Sequence, residues 1–288
     1  MKKKIIFILI YCSLLFFSCQ PDLNYTISGY TQKIIVEGYI ANDEYPVVYL
    51  SLNIPFSEEV DSVSIIKNVL TSAKVTVSDG IKTEILTAGF WDNKHFPPHQ
   101  YRGTEIKGEE GKTYYLTVEY GGYTLHAQTT IPHKIGNVTF NSIPVNGNDT
   151  LRLLSMTFDI NSNLKNSFRV YTLKKEDGFY QTIPLLYNPD FLLTGENTFT
   201  IIPTPAKEDN SSSEGGFFAK GDTIDVKLCS IDSISTQFFK DLTLFSTSTG
   251  VINNIFIGEK DALKSNISLP GFGIWCGNGT SIFKVIIK

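Results

Sequence analysis

The sequence predicts a mainly β protein: an N-terminal antiparallel sandwich of immunoglobulin-like size, followed by a second β-rich domain that carries one α-helix. Three observations carry that prediction. Apolar and polar residues alternate with a period of two over much of the chain from Gln32 onward. Asp-Gly and Gly-Gly pairs punctuate the alternation, as turns between paired strands do. Only past Asp232 do apolar residues recur at helical spacing. The 288 residues suffice for one large or two modest domains, at roughly 100–200 residues each.

The chain opens on a short basic head, Met1–Lys4, and an apolar run of 13 residues, Ile5–Phe17. That layout is a secretory signal. The run is too short for a spanning helix, which needs about 20 apolar residues. It ends in Phe16-Phe17-Ser18-Cys19, which resembles the lipobox of bacterial lipoproteins, with Phe at two positions where other residues are commoner. Residues 1–18 are therefore expected to be removed and Cys19 acylated, and a triacylated Cys19 meets the requirement that stable anchoring takes more than one chain. Gln20 follows, where Asp marks inner-membrane retention in many such proteins, so the outer membrane is the expected destination. Residues 19–31 read as lipidated cysteine and tether. The 25 basic residues less Lys2, Lys3 and Lys4 leave 22 against 29 acidic ones, a net charge of −7. That balance excludes a protein that wraps nucleic acid or docks electrostatically on anionic lipid.

Gln32–Ile40 and Pro46–Asn53 read as the first two strands. Ala73–Val77 and Ile81–Thr87 flank Ser78-Asp79-Gly80, a hairpin signal for a type I′ turn with positive φ at both central residues. Thr113–Tyr120 and Tyr123–Thr130 form a second hairpin around Gly121-Gly122. No helix is expected before Pro132, so residues 32–132 are assigned to the first sandwich. In residues 133–288 the strand-like segments are Asn137–Ile143, Leu151–Ile160, Ser167–Leu173, Phe179–Leu186, Asn197–Ile202, Thr223–Cys229 and Ser281–Ile287, with a polar loop over Pro203–Gly216. A helix near 233–245, capped by Asp232 or Ser233, places Ile234, Phe238, Leu242 and Phe245 on one stripe, read as packing on a sheet.

These segments resemble the domain of unknown function 4249 family of Bacteroidetes lipoproteins. The resemblance rests on Lys33-Ile34-Ile35-Val36-Glu37-Gly38-Tyr39-Ile40 after a lipobox, on Ala73–Gly80, and on Gly108 with Gly111-Lys112-Thr113-Tyr114-Tyr115-Leu116. Gly221-Asp222 and Ser265-Asn266-Ile267 before the glycine-rich Gly271–Gly279 agree. It implies an outer-membrane or surface lipoprotein, of a kind often encoded beside TonB-dependent transporters, with an accessory role. It carries no catalytic residues, because these motifs specify backbone.

Nothing in the chain selects an active site or a cofactor. There is no Gly-x-Ser-x-Gly, and no pair of carboxylates stands out. Pro97 and Pro98 forbid the helix that would set His95 and His99 on one face, so both histidines read as residues of a solvated loop and no metal is expected. That loop, Gly89–Gly103, holds Phe90, Trp91, Phe96 and Tyr101. Trp91, Phe96 and Tyr101 are candidates for a ligand or partner platform; the plainer alternative is that the aromatics fold back over an open end of the sandwich. The run Gly271–Gly277 reads as close strand packing, not a phosphate loop. Cys229 and Cys276 are a candidate disulfide, with two separate buried thiols as the alternative. Asp61-Ser62-Val63, Asp149-Thr150-Leu151, Asp222-Thr223-Ile224 and Asp232-Ser233-Ile234 resemble an O-glycosylation acceptor, and turn or cap roles account for them equally. The expected function is a non-catalytic outer-membrane or surface lipoprotein, a binding or accessory module of a TonB-dependent receptor. The alternative is a structural or adhesive surface protein, and a glycan- or peptide-acting enzyme comes third.

Overall fold

The computed structural model describes residues 31–55, 60–91, 96–145, 148–160, 167–174, 185–187, 195–201, 217–247 and 264–288. Cys19, His95, the Phe179 end of its expected strand and the whole 203–216 loop lie outside the described residues. The protein is mainly β, with two helices among the described residues. The strands are β1 (Ile34–Ala41), β2 (Val47–Leu52), β3 (Lys74–Ser78), β4 (Thr83–Ile85), β5 (Thr87–Phe90), β6 (His99–Arg102), β7 (Thr113–Tyr120) and β8 (Tyr123–Thr130) in the first half. They are followed by β9 (Thr139–Val145), β10 (Asn148–Ile160), β11 (Ser167–Lys174), β12 (Leu185–Tyr187), β13 (Gly195–Ile201), β14 (Phe218–Ala219), β15 (Thr223–Ile231) and β16 (Phe272–Ile286). The helices are α1 (Ser62–Lys67) and α2 (Ser233–Thr247).

Two sandwiches share one sheet. An eight-stranded sheet runs β12-β11-β15-β16-β1-β2-β6-β5. Its β16-β1-β2-β6-β5 half faces the sheet β4-β3-β7-β8, and Val36, Val48, Leu50, Val75, Leu116 and Trp275 meet in the core between them. Its other half faces β13-β10-β14 with β9, around Leu154, Met156, Phe158, Phe168, Val226 and Leu228. The join is β16, which the sequence marks only from Ser281. Its first part, Phe272–Asn278, pairs in parallel with β1 (Trp275 opposite Gly38), and its second part, Gly279–Ile286, pairs antiparallel with β15. The remaining ladders are antiparallel.

The glycine-rich run packs closely, and the chain that crosses it is the connection between the sandwiches. A Cβ on Gly277 would lie 2.6 Å from the Thr130 carbonyl oxygen, and one on Gly279 would lie 2.2 Å from that of Pro132. Only hydrogen leaves room for backbone to cross backbone there.

Three local expectations are corrected. The Asp79-Gly80 loop has four residues, closed by Asp79 N–H donating to Lys82 O (3.1 Å), and only Gly80 has positive φ. It is not a type I′ turn, because the Asp79 carboxylate instead accepts from the N–H groups of Ile81 (2.9 Å) and Lys82 (2.7 Å). Gly121-Gly122 does turn with positive φ at both residues. A helix does precede Pro132: α1 is nucleated by a reciprocal cap, in which Asp61 Oδ1 accepts from Ser64 N–H (2.7 Å) and Ser64 Oγ accepts from Asp61 N–H (2.9 Å). α2 does pack on a sheet, but of the expected stripe Phe238 packs while Ile234 and Leu242 do not. Ile234 and Leu242 are exposed, whereas Phe238 and Phe239 cover Ile231, Ile274 and Cys276 on the outer face of the shared sheet; the Phe245 side chain lies outside the described set.

The registers define two poles of the first sandwich. The chain enters at Thr31–Lys33, where Lys33 N–H donates to Asn53 Oδ1 (2.7 Å) and Asn53 N–H to Lys33 O (3.2 Å). Ile34 pairs with Leu52, so the start of β1 and the end of β2 share that pole. The other pole leads through Asn278 into the second sandwich.

Candidate functional site

The aromatic segment is a β-hairpin, not an irregular loop. β5 pairs with β6 from Thr87–Arg102 to Phe90–His99, and β6 docks on β2 at Val47 and Val48. The aromatic residues of the segment then divide between the core and the surface. Tyr101 faces the core, 1% exposed; its hydroxyl donates to Leu70 O (2.8 Å) and accepts from Ala73 N–H (2.9 Å). It is a core residue, not part of a binding platform. Trp91 and Phe96 are exposed at the hairpin's end together with Phe90, and the Arg102 guanidinium lies 5.7 Å from the Trp91 ring centroid. Of the three candidate platform residues, Trp91 and Phe96 keep an accessible ring face.

His99 also departs from expectation. It is 7% exposed on β6, between Phe90 and Tyr101 with edge-on ring contacts of 5.5 and 5.4 Å, and its Nδ1 has no hydrogen-bond partner. Burial pushes its pKa below the ordinary value, because the charged ring would lose hydration without gaining a partner. Proline-directed loop geometry had suggested solvent; the β5–β6 ladder carries the ring inward instead. No group of three or more His, Cys, Asp or Glu side chains able to hold a metal occurs among the described residues.

A second candidate is an open groove of about 480 Å³ where the sandwiches meet. The β1–β2 turn forms one wall, with Asp43 exposed at φ 63° and its N–H bonded to Gly108 O (2.9 Å). The Asn42 amide clamps the turn to β16: Thr280 N–H donates to Asn42 Oδ1 (2.6 Å) and Asn42 Nδ2 donates to Thr280 O (3.3 Å). The opposite wall is Lys134 and Gly136 of the connection, with Ile282 exposed and Phe283 half-buried on the floor. Glu110 accepts from Lys134 Nζ (3.4 Å) and faces His133 Nδ1 (3.2 Å), holding the connection to the first sandwich. Carboxylates on one wall, an ammonium on the other and apolar carbon between them suit a polar ligand or peptide segment with an apolar side. No local pattern marks this groove, since its walls come from residues more than 200 positions apart, Asp43 and Ile282 among them.

The candidate bridge is not formed. Cys229 and Cys276 are free and buried. Cys229 pairs with Thr280, four positions along β16 from Cys276; at about 3.3 Å per residue that stagger exceeds the roughly 7 Å Cα span of a disulfide. Cys229 Sγ lies 3.6 Å from Thr280 Oγ1 and Cys276 Sγ 3.3 Å from Asn278 Oδ1. Burial raises both thiols, Cys276 to about 12, so neither is a ready nucleophile. The Asp-Ser/Thr segments mostly have local backbone roles. Asp61 caps α1, Asp232 Oδ1 accepts from Ser235 N–H (2.7 Å) at the start of α2, and Asp222 Oδ2 accepts from Ala219 N–H (3.2 Å). Ser62 and Thr150 are exposed.

No family model matches the chain, and no curated protein matches it. Among solved structures, the chain is similar to one described as a cytokine receptor complex (11% identity, 68% of this chain and 82% of that one, TM-score 0.23). It is also similar to bovine butyrophilin (10% identity, 72% of this chain and 95% of that one, TM-score 0.19). TM-scores this low carry no argument, and the sandwich architecture stands on the sheets themselves. No helix among the described residues is long and apolar enough to cross a membrane.

Proposed function

We propose that the chain is a non-catalytic lipoprotein of the outer membrane, anchored through acylated Cys19 and acting as a binding or accessory module beside a TonB-dependent transporter. The lipobox order and the resemblance to the domain of unknown function 4249 family support the anchor and the setting. The observation that carries the binding role is the junction groove. It opens beyond the first sandwich from the pole where Thr31 enters, so a tether at that pole leaves the groove free to meet a soluble ligand or the loops of a neighbouring protein.

A photo-crosslinking residue at Ile282, introduced into the full chain in its native envelope, tests the reading. Adducts with an outer-membrane transporter or its substrate support it. Adducts only with matrix or adhesin components would replace it with the structural reading, and turnover of glycans or peptides by the purified protein would refute the non-catalytic assignment. Palmitate labelling tests the anchor separately: no label on the wild type, or label that persists in Cys19→Ser, overturns it.

A further inference from the structure

Six exposed apolar residues of the first sandwich lie toward one pole, while Ile81 and Ile85 of the β3–β4 hairpin are exposed away from it. α1 follows the end of β2 and precedes β3; Leu52 N–H donates to Asn68 O (2.8 Å) and Ser51 bridges Val69, so α1 stands at the Leu52 end. Val60, Val63 and Ile66, three residues apart, are each more than half exposed there, and α1 buries none of its own residues. β6 runs antiparallel to β2, so the His99 end of β6 and the Phe90 end of β5 point the same way. Phe90 (76% exposed), Trp91 (41%) and Phe96 (54%) therefore extend toward the pole that carries α1 and the chain entry at Thr31.

We infer that this pole is a lipid-contact face, and that Val60, Val63, Ile66, Phe90, Trp91 and Phe96 seat in the interfacial layer of the membrane that holds the anchor. The inference rests on the proposed acylation of Cys19 for its setting, and its occupant is argued from where the chain enters. Residues 20–30 separate Cys19 from Thr31; even fully extended they reach at most about 40 Å, and a flexible chain of that length averages about 20 Å. The apolar pole is thus the part of the molecule kept nearest the bilayer, at an effective concentration where weak contact suffices. Its composition fits the interface: a tryptophan and two phenylalanines with short aliphatics, and a cation at the margin in Lys67. The acidic balance of the chain makes the contact apolar, not electrostatic, so it is insensitive to salt and needs no anionic lipid. The aromatic hairpin accordingly meets lipid, and ligand recognition is left to the junction groove.

Trp91 and Trp275 are the two tryptophans, and Trp275 is fully buried, which makes fluorescence selective. The full lipidated chain is placed in phosphatidylcholine vesicles with or without brominated acyl chains. The expected result is quenching of the wild-type emission by brominated lipid, unchanged by salt and absent in Trp91→Phe. In Cys19→Ser at high lipid, Val63→Asp with Ile66→Asp lowers vesicle partition about tenfold or more, since the burial of two aliphatic side chains at about 25 cal/mol per Å² is forfeited. Attached protein whose Trp91 is untouched by brominated lipid and quenched by aqueous iodide overturns the inference while leaving the anchor intact. Flotation that is equal for wild type and Cys19→Ser defeats the anchor instead. In that case quenching of Cys19→Ser at high lipid still supports the face, and its absence overturns it.

Discussion

Replacing Tyr101 by Phe removes one oxygen from the first core and leaves the ring, its contact with His99 and the β5–β6 ladder in place. The lost hydroxyl strands Leu70 O, on a residue 3% exposed, and Ala73 N–H, on a half-buried one. A buried acceptor left unpaired costs about 1–3 kcal/mol and a bond that water partly replaces costs about 0.5–1 kcal/mol, so the expected loss is about 2 kcal/mol. With a urea slope of about 2 kcal/mol/M, the midpoint falls by roughly 1 M at unchanged slope. Equilibrium unfolding in a Trp91→Phe background measures this, because the remaining Trp275 donates its indole N–H to Tyr114 O (3.1 Å) in the same core. A loss below about 0.5 kcal/mol, or weaker binding of a ligand at unaltered stability, would refute the placement of Tyr101 as a core residue and restore it to a binding surface.

Gly279→Ala drives a Cβ against Pro132 O and should destabilise by about 1–3 kcal/mol or more, whereas Gly121→Asn, at φ 58° with open space around it, stays within about 0.5 kcal/mol; thermal unfolding of the two variants compares them directly. Intact mass should be identical with and without reductant, and Cys229 and Cys276 should alkylate only once the protein unfolds; a mass gain of two hydrogens on reduction refutes the free thiols. The buried neutral His99 has its folded pKa below the unfolded value of 6.5, so the unfolded chain binds more protons and stability falls as pH drops below that value. His99→Phe should flatten this slope between roughly pH 5 and 7, and an unchanged slope in urea titrations would exclude His99 as its source.

The legible parts of the fold are those written locally. Thr113–Tyr120 and Tyr123–Thr130 become β7 and β8 to the residue, because their alternation is unbroken and Gly121-Gly122 admits the turn. α1 was hidden because its six residues are too few to display a period, and its cap uses Ser64 where a longer acidic or amide side chain is the usual sign. The packed face of α2 was legible at Phe238 and not at Ile234 and Leu242, because its neighbour Phe239 turns the helix's contact with the sheet away from the rest of the stripe. In the hairpin, composition announced aromatics, but the placing of Tyr101 and His99 inward follows from the β5–β6 and β2–β6 ladders, which no spacing of Pro97 and Pro98 encodes, and Trp91 is exposed just past the last ladder pair. The groove and the parallel β1–β16 pair join opposite ends of the chain, so neither leaves a local trace.

That last pair bears on the order in which the molecule can assemble. A ribosome makes β1 more than 200 residues before β16, yet Trp275 fills the core that β1 helps to enclose. Residues 32–132 alone would lack that side chain and leave the flank of β1 unpaired, a state prone to sticking to other open strands. The first half must therefore wait, unfinished, for β16, and contacts so distant in sequence make for slow closure. A nascent protein of this design has reason to be kept unfolded until β16 has been made.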